Sequence, residues 1–516
     1  MISFIEKLKD KINGILSGFD RLVIKGIIKP LSYTAGMMNF LYEKNILLKD
    51  FGNYVETTSK MIKQSSLKIA EKQNRPVQYL ASSQIKKETL AQEIALKAGI
   101  VKGLVCILTC VEPCKSYYIR KDRESKQLVL EPKVRKCLYI YHYWIDPVFG
   151  FMNARIQTWF PFDIYICLNG REWLSKQLDR KKISYTRYDN CYFQIENIET
   201  AQRLMKQQLL TNWKVKFTKI ANTLNPVFKK ITGDYPLEYY WTTHQSEWAT
   251  DIMFRSSKDL AAIYPALVKG SIEIFGCHDV MRFLGKKYHG NFKGEVVSDY
   301  KERPEGIRIK HRLGANSVKM YDKGGRVLRI ETTINDPKGF KVYRPKQGNE
   351  EAGKCEWNPL RKSVADIKRL AHVSQASNNR YLEAISSLGM DMPIIRLIEG
   401  VCKPASLNGE RMRALRPWSE EDSLLLKAVS KGEYAVNGFR NKDIRSIIFP
   451  EYIDEKEKKR QAGRITRRFR LLRAHGLIRK VKNTHRYVLT KKGRRIISAI
   501  IESQNLTLKQ LNSKVA

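Results

Sequence analysis

The stretch Gly306–Pro337, GIRIKHRLGANSVKMYDKGGRVLRIETTINDP, constrains the fold of this chain more than any other. Apolar side chains at Ile307, Ile309, Val318, Met320, Val327, Leu328, Ile330 and Ile334 largely follow a period of two, which predicts adjacent strands. Asp322-Lys323-Gly324-Gly325 predicts a tight hairpin, because its two glycines supply the positive φ such a turn requires. Alternation puts Lys319, Tyr321 and Lys323 on one side of the first arm and Arg329 and Glu331 on one side of the second. Register decides whether Tyr321, Lys323, Arg329 and Glu331 meet across the hairpin. A carboxylate beside cations and a phenol suits phosphate chemistry; a salt-bridged solvent face is the plainer reading, and exposed pairs of that kind contribute little.

The string SVKMYDK at Ser317–Lys323, followed by VLRIE at Val327–Glu331, resembles the end of the catalytic region in rolling-circle replication initiators of plasmids, conjugative elements and filamentous phages. The resemblance covers about thirty residues. It implies a metal-dependent nickase using Mg2+ or Mn2+, with Asp322 and Glu331 helping to hold the ion and a tyrosine attacking the DNA phosphate. Two positions depart from the family pattern. Ile309-Lys310-His311-Arg312 stands where these families often place the nucleophilic tyrosine, and the paired His-apolar-His motif is absent. A hydrolytic nuclease, a relocated tyrosine and an inactive nuclease scaffold all fit that pattern.

Ninety-four Lys and Arg against 52 Asp and Glu give a formal net charge of +42. A polyanion is the expected partner of so basic a chain, and nucleic acid is the first choice because the excess is interleaved with aromatic residues. Charge alone does not separate DNA from a structured RNA. No apolar run reaches the ~18 residues a membrane span needs. The N-terminal MISFIEKLKDKING reads as a short amphipathic helix without a signal-peptide core, so no membrane partner and a cytoplasmic, possibly nucleoid-associated, location are expected. Nine cysteines argue against a disulfide framework. Cys106, Cys110 and Cys114 read as core thiols, with a structural metal the rarer alternative for that spacing.

The expected fold is α+β and multi-domain, with antiparallel sheets, flanking helices and a C-terminal winged helix. Residues 1–200 form an N-terminal domain with a long antiparallel meander, 201–236 a basic helical connector, and 237–345 a second α+β domain carrying the hairpin. Residues 346–418 read as a loop, basic helices and linker, and 419–516 as the winged helix. In the first domain, Asp20 begins a strand, as a ligand or as a plain strand-end residue. Tyr139, Tyr141 and Tyr143 alternate near Arg155, Gln157 and Trp159, which suits either base stacking or core packing. His244, Glu247 and Asp251 would share a helix face as metal ligands or as a surface network. KKYHGNFKGE at Lys286–Glu295 offers Tyr288, with His289 beside it, as an alternative nucleophile, or a phosphate-gripping loop through Lys286, Lys287 and Lys293. Lys310 and Arg312 add phosphate contacts. Glu295 and Asp299 join Asp322 and Glu331 as candidate ligands, since all four fall within one sheet-forming segment.

At the C-terminus the order helix, helix, helix, hairpin, helix resembles a winged helix. From Lys456 to Arg495 there are 17 Lys or Arg against one acid, Glu457. Arg464, Arg467, Arg468, Arg470 and Arg473 on the third helix, with Lys480, Lys482 and Arg486 on the hairpin, are the expected nucleic-acid contacts. Together these features predict metal-dependent nicking or strand transfer for a mobile or extrachromosomal element, with Tyr321 or Tyr288 as nucleophile and Lys319, Lys323 and Arg329 stabilising phosphate. The competing expectation is a non-enzymatic binder, such as a DNA-binding regulator or the protein partner of a structured non-coding RNA in a ribonucleoprotein.

Overall fold

A computed structural model describes residues 2–286, 294–303, 306–345, 355–386, 394–431, 434, 438–450, 454–481 and 484–505. The strands are β1 (Ile12–Ile27), β2 (Val77–Leu80), β3 (Gly103–Lys121), β4 (Leu128–Asp146), β5 (Gly150–Gln157), β6 (Ile164–Asn169), β7 (Tyr185–Tyr188), β8 (Cys191–Ile195), β9 (Tyr240–Phe254), β10 (Val296–Arg303), β11 (Gly306–Leu313), β12 (Asn316–Lys323), β13 (Val327–Ile334), β14 (Lys341–Pro345), β15 (Cys355–Pro359), β16 (Ala405–Leu407), β17 (Glu410–Met412), β18 (Ile478–Lys480) and β19 (Tyr487–Leu489). The helices are α1 (Ile2–Lys7), α2 (Thr34–Glu43), α3 (Phe51–Lys72), α4 (Lys87–Lys97), α5 (Gly170–Arg180), α6 (Ile198–Gln208), α7 (Trp213–Leu224), α8 (Phe228–Thr232), α9 (Ser257–Ala261), α10 (Tyr264–Glu273), α11 (Cys277–Phe283), α12 (Ile367–Ser386), α13 (Ile394–Ile398), α14 (Glu420–Val429), α15 (Asn441–Ile448), α16 (Glu455–Ala474) and α17 (Lys491–Asn505).

The chain is α+β and divides into two compact units, residues 1–265 with 280–386, and residues 266–279 with 387–516. In the first unit eleven strands form one sheet, in the order β10-β11-β12-β13-β9-β1-β6-β5-β4-β3-β2. Every pairing in it is antiparallel except β2 with β3. Residues 1–200 and 237–345, expected as separate domains, share this sheet: β9 pairs with β1 from Ile12↔Phe254 to Ile27↔Tyr240. Period-two patterning shows that a segment is a strand but does not name its neighbour, so the sequence division followed chain order instead of pairing.

Three other expectations change. YYWTTHQSEWATDIMF is strand β9, not a helix, which its β-branched and aromatic content favours. Within 346–418, expected as loop, basic helices and linker, β15 pairs antiparallel with β14, and β16 pairs with β17.

The back of the sheet is tied down by α12. Its buried positions Ile367, Leu370, Ala371, Ser374, Asn378, Tyr381 and Ile385 repeat at three- and four-residue spacing, the stripe a helix needs to lie on a sheet. Asn378 Nδ2 donates to the carbonyls of Trp248 and Ile330, both at 3.1 Å, joining α12 to β9 and β13 with a satisfied buried amide. On the other face α5 approaches β1 closely because residue 170 lacks a side chain: a Cβ there would stand 1.9 Å from the Phe19 carbonyl oxygen. Asn169 caps α5, its Oδ1 accepting from the backbone N–H of Arg171 at 2.8 Å and of Glu172 at 3.2 Å.

The second unit packs around Leu425, Leu426, Phe439, Ile444, Ile465, Phe469, Leu472 and Ile497. Ser419 caps α14 as its sequence predicts, accepting from the Asp422 N–H at 3.4 Å. Its last elements run α14, α15, α16, the β18–β19 hairpin and α17.

Candidate metal and phosphate site

The β12–β13 register, which alternation alone leaves open, pairs Lys319 with Glu331 and Tyr321 with Arg329. Continuing across the sheet, β13 pairs Glu331 with Ala249 and Arg329 with Asp251, so Glu247, two residues from Ala249, lies on the same face. Opposite Glu247 stands Arg21 of β1, and between the pairs Phe19↔Trp248 and Arg21↔Glu247 the strand carries one extra residue, Asp20. That bulge re-aims the Asp20 side chain toward Glu247 and Glu331. Carboxylate oxygens of Asp20, Glu247 and Glu331, from three adjacent strands, lie within 4.8 Å of one another.

The surroundings hold these groups in distinct states. Glu331 is buried; its Oε1 accepts from Lys319 Nζ at 2.6 Å and its Oε2 from the Tyr321 hydroxyl at 2.5 Å. Burial pushes its carboxyl up, but Lys319, both hydrogen bonds and Arg329 together hold it below the ordinary range. Asp20 is 5% exposed. Its Oδ2 accepts from Asn190 Nδ2 at 2.8 Å and lies 3.2 Å from Arg329 Nη1, while its Oδ1 has no hydrogen-bond partner among the described residues. Burial raises the Asp20 carboxyl, Arg329 opposes that, and the Glu331 charge adds to it. Glu247 is raised by burial and then by Glu331, against the pull of Lys319, whose Nζ is 3.7 Å from its Oε1. Two carboxylates raised by burial stand beside one held ionised, and one buried Asp20 oxygen lacks a hydrogen-bond partner among the described residues, so the negative charge there is not fully met by the described side chains. An all-carboxylate oxygen set is the donor chemistry that hard divalent ions such as Mg2+ and Mn2+ take.

Beneath the triad, Arg329 is fully buried and holds Asp251 through Nε–Oδ1 at 2.6 Å and Nη2–Oδ2 at 2.9 Å. Arg171 of α5 donates to the same Asp251 Oδ2 at 2.9 Å. Asp20 and Glu247 line a pocket of about 210 Å3 with Arg21, Glu88, Asn153, Arg187 and Asp189. On the other side β11 carries the half-exposed Arg308 and Lys310 and the exposed Arg312, with Lys310 directly opposite Lys319. Burial and then the neighbouring Lys319 lower the proton affinity of Lys310, against the pull of Asp299, its partner on β10.

Several expected site residues stand elsewhere. Asp322 lies on the opposite face of β12 from Lys319 and Tyr321, and its Oδ1 accepts from the Gly325 N–H at 2.9 Å; it shapes the turn and does not meet Glu331. Gly324 and Gly325 have φ of 60° and 71°, the positive values expected of them. Asp299 pairs with Arg308 at 3.5 Å, away from the triad, and Glu295 is exposed before β10. Lys323 is engaged with Asp189 at 2.6 Å. Arg329 is a scaffold cation under the carboxylates, without the exposure needed to meet phosphate directly. Burial and Glu331 push the Tyr321 phenol well up, so it is a held proton donor in this arrangement. Lys286 is half-buried; Tyr288, His289, Lys287, Lys293 and Lys482 lie outside the described residues. Tyr139, Tyr141 and Tyr143 are core, packed with Cys106, Cys110 and Cys114 beneath α4. His244 stacks edge-on against Tyr165, with ring centroids 5.1 Å apart, and is not part of the triad.

In the second unit, α16 presents Arg464 and Arg467 to solvent. Arg468 is tied to Glu421 and Arg470 to Glu410, while Arg473 is half-buried. Lys480 is exposed on β18, and Arg486, at the other side of the hairpin, reaches the Gly438 carbonyl at 3.4 Å. Comparison with known proteins finds no matching family model, curated protein or solved structure.

Proposed function

We propose that the first unit carries a metal-dependent centre for cleaving or transferring nucleic-acid strands, and that the second unit is a winged-helix module that holds the substrate. The observation that carries this reading is the convergence of Asp20, Glu247 and Glu331 around an unpartnered, buried carboxylate oxygen, beside the Lys319–Lys310 cation row. A divalent ion held there would supply Lewis-acid activation of a phosphoryl oxygen or of an attacking hydroxyl or water. Lys319 and Lys310 offer positive charge to the phosphate from the open side, and Arg329 with Asn190 fixes the Asp20 carboxylate from below. Such an activity fits the nicking or strand-transfer step of a mobile or extrachromosomal element.

The test is incubation of the full chain with single-stranded and duplex DNA and with RNA, in Mn2+ or Mg2+ and in EDTA. Cleavage confined to the metal-containing reactions is expected. No product from any of these substrates, together with no thermal shift on Mn2+ titration, would overturn the catalytic reading.

One observation favours a second reading, a non-enzymatic binder acting with DNA or a structured RNA: both Glu331 oxygens are already satisfied by Lys319 and Tyr321. A closed ion-pair network of that kind supports a sheet without chemistry. Recovery of one discrete RNA with the native protein, combined with the absence of cleavage, would favour it.

For the second unit, exposed Arg464 and Arg467 are the expected phosphate contacts of a groove-docked α16. Changing both to alanine should reduce the slope of log affinity against log salt on duplex DNA by about 2, near 0.9 per contact. An unchanged slope would remove α16 from the interface.

A further inference from the structure

β4 pairs with β5 only from Tyr139 to Asp146, whereas it pairs with β3 out to Leu128. The hairpin formed by residues 111–138 is therefore a two-stranded arm projecting past the rest of the sheet. Where it passes α3 there is a groove of about 780 Å3. Phe51 and Val55 of α3, together with Tyr117, Leu138 and Trp159, give this groove an apolar floor. Its rim is basic: Lys49, Lys60, Lys63 and Arg135 line it, against the single carboxylate of Glu56, which pairs with Lys60 at 3.0 Å.

Two aromatic rings at the arm already carry cations. Lys133 Nζ sits 4.7 Å from the Tyr118 ring centroid, and the Arg135 guanidinium 4.9 Å from that of Trp159. Lys133 and Arg135 are two residues apart on β4, so both reach over the same face of the arm.

We propose that this groove binds single-stranded nucleic acid. A single strand presents flat apolar bases and a phosphate chain together, matching an aromatic and aliphatic floor under a basic rim. The Arg135–Trp159 stack offers a planar surface on which a further base can lie. A duplex hides its base faces and would leave the floor without a partner; an acidic peptide would use the rim alone. This site is separate from the carboxylate triad and does not depend on it.

The test uses the full chain with 20-nucleotide oligothymidylate and oligouridylate, which distinguish DNA from RNA as the source of the strand. In a Lys49→Glu/Lys63→Glu/Arg135→Glu variant the salt slope is expected to fall by about 2, near 0.7 per lost contact. All three side chains are exposed, so the fold is not at stake. Tyr118→Leu should weaken binding roughly ten- to a hundredfold while leaving the slope unchanged. The proposal is overturned by an unchanged slope in the triple variant, by an equal loss on a matched duplex, or by polyglutamate outcompeting both oligonucleotides at the wild-type groove. The Mn2+ response of the triad, measured in the same variant, should remain wild-type, which separates failure here from failure of the catalytic reading.

Discussion

Asparagine in place of Asp20 is expected to remove metal-dependent cleavage while leaving the protein folded and able to bind nucleic acid. The amide keeps the size of the carboxylate and can still accept from Asn190 Nδ2, but it withdraws a charged ligand from the triad. A bound divalent ion is worth several kcal/mol of charge stabilisation, and each ~1.4 kcal/mol is tenfold in rate, so a loss of about a hundredfold or more is expected. Glu331→Gln should act similarly, with an added cost to Lys319, whose 2.6 Å partner it neutralises. Cleavage retained in Asp20→Asn would exclude the triad as the catalytic centre.

The same site predicts a pH dependence with a definite sign. Asp20 and Glu247 have carboxyls raised in the fold. Without metal, their contribution to stability is full below the ordinary carboxylate values of about 4 and is lost as pH rises through the raised folded values. Ion binding requires the ionised forms, so Mn2+ stabilisation runs the other way and grows with pH over that window. The gap in Tm between Mn2+ and EDTA should be small in acid and widen toward neutrality, approaching about 2.7 kcal/mol of stabilisation at a hundredfold excess over Kd. A gap independent of pH would show that the ion binds elsewhere.

Replacing Arg329 by methionine should destabilise the first unit by about 3–5 kcal/mol, the cost of removing one partner from a buried ion network. Asp251 would keep Arg171, but Asp20 would lose its closest cation, and the Asn190 carbonyl would lose its donor at 2.7 Å. Urea unfolding followed by tryptophan fluorescence measures this directly. A loss below ~1 kcal/mol would mean that water enters to replace the guanidinium and that the network is not rigid.

What the sequence made legible was mostly local. The β12–β13 hairpin, the Gly324-Gly325 turn and the Ser419 cap follow from spacing within a few residues, and the structure places them as expected. Glu331 could be singled out because its cross-strand partners lie within 12 residues of it. Asp20 and Glu247 could not be joined to it this way, because strand patterning carries no address for a partner on a strand that is not a chain neighbour. Asp20 was further disguised by the bulge, since strict alternation would send it to the face opposite Arg21. Glu247 shares a face with His244 only if the segment is helical, and the even spacing of Glu247 and Asp251 within a β-branched, aromatic segment is the signal for one face of a strand. Asp322 illustrates the reverse error. Its acidity suggested a ligand, while its odd separation from Glu331's partner Lys319 already put it on the wrong side of the sheet.

The triad joins residues 20, 247 and 331, with Glu331 on the strand that completes the centre. A ribosome working at about 5–20 residues per second needs on the order of tens of seconds to pass from the first of these codons to the last. Throughout that interval the growing polypeptide lacks the third carboxylate. A chain ended before that point by a stalled ribosome or a premature stop lacks Glu331, so the complete triad exists only after residue 331 of 516 has been added.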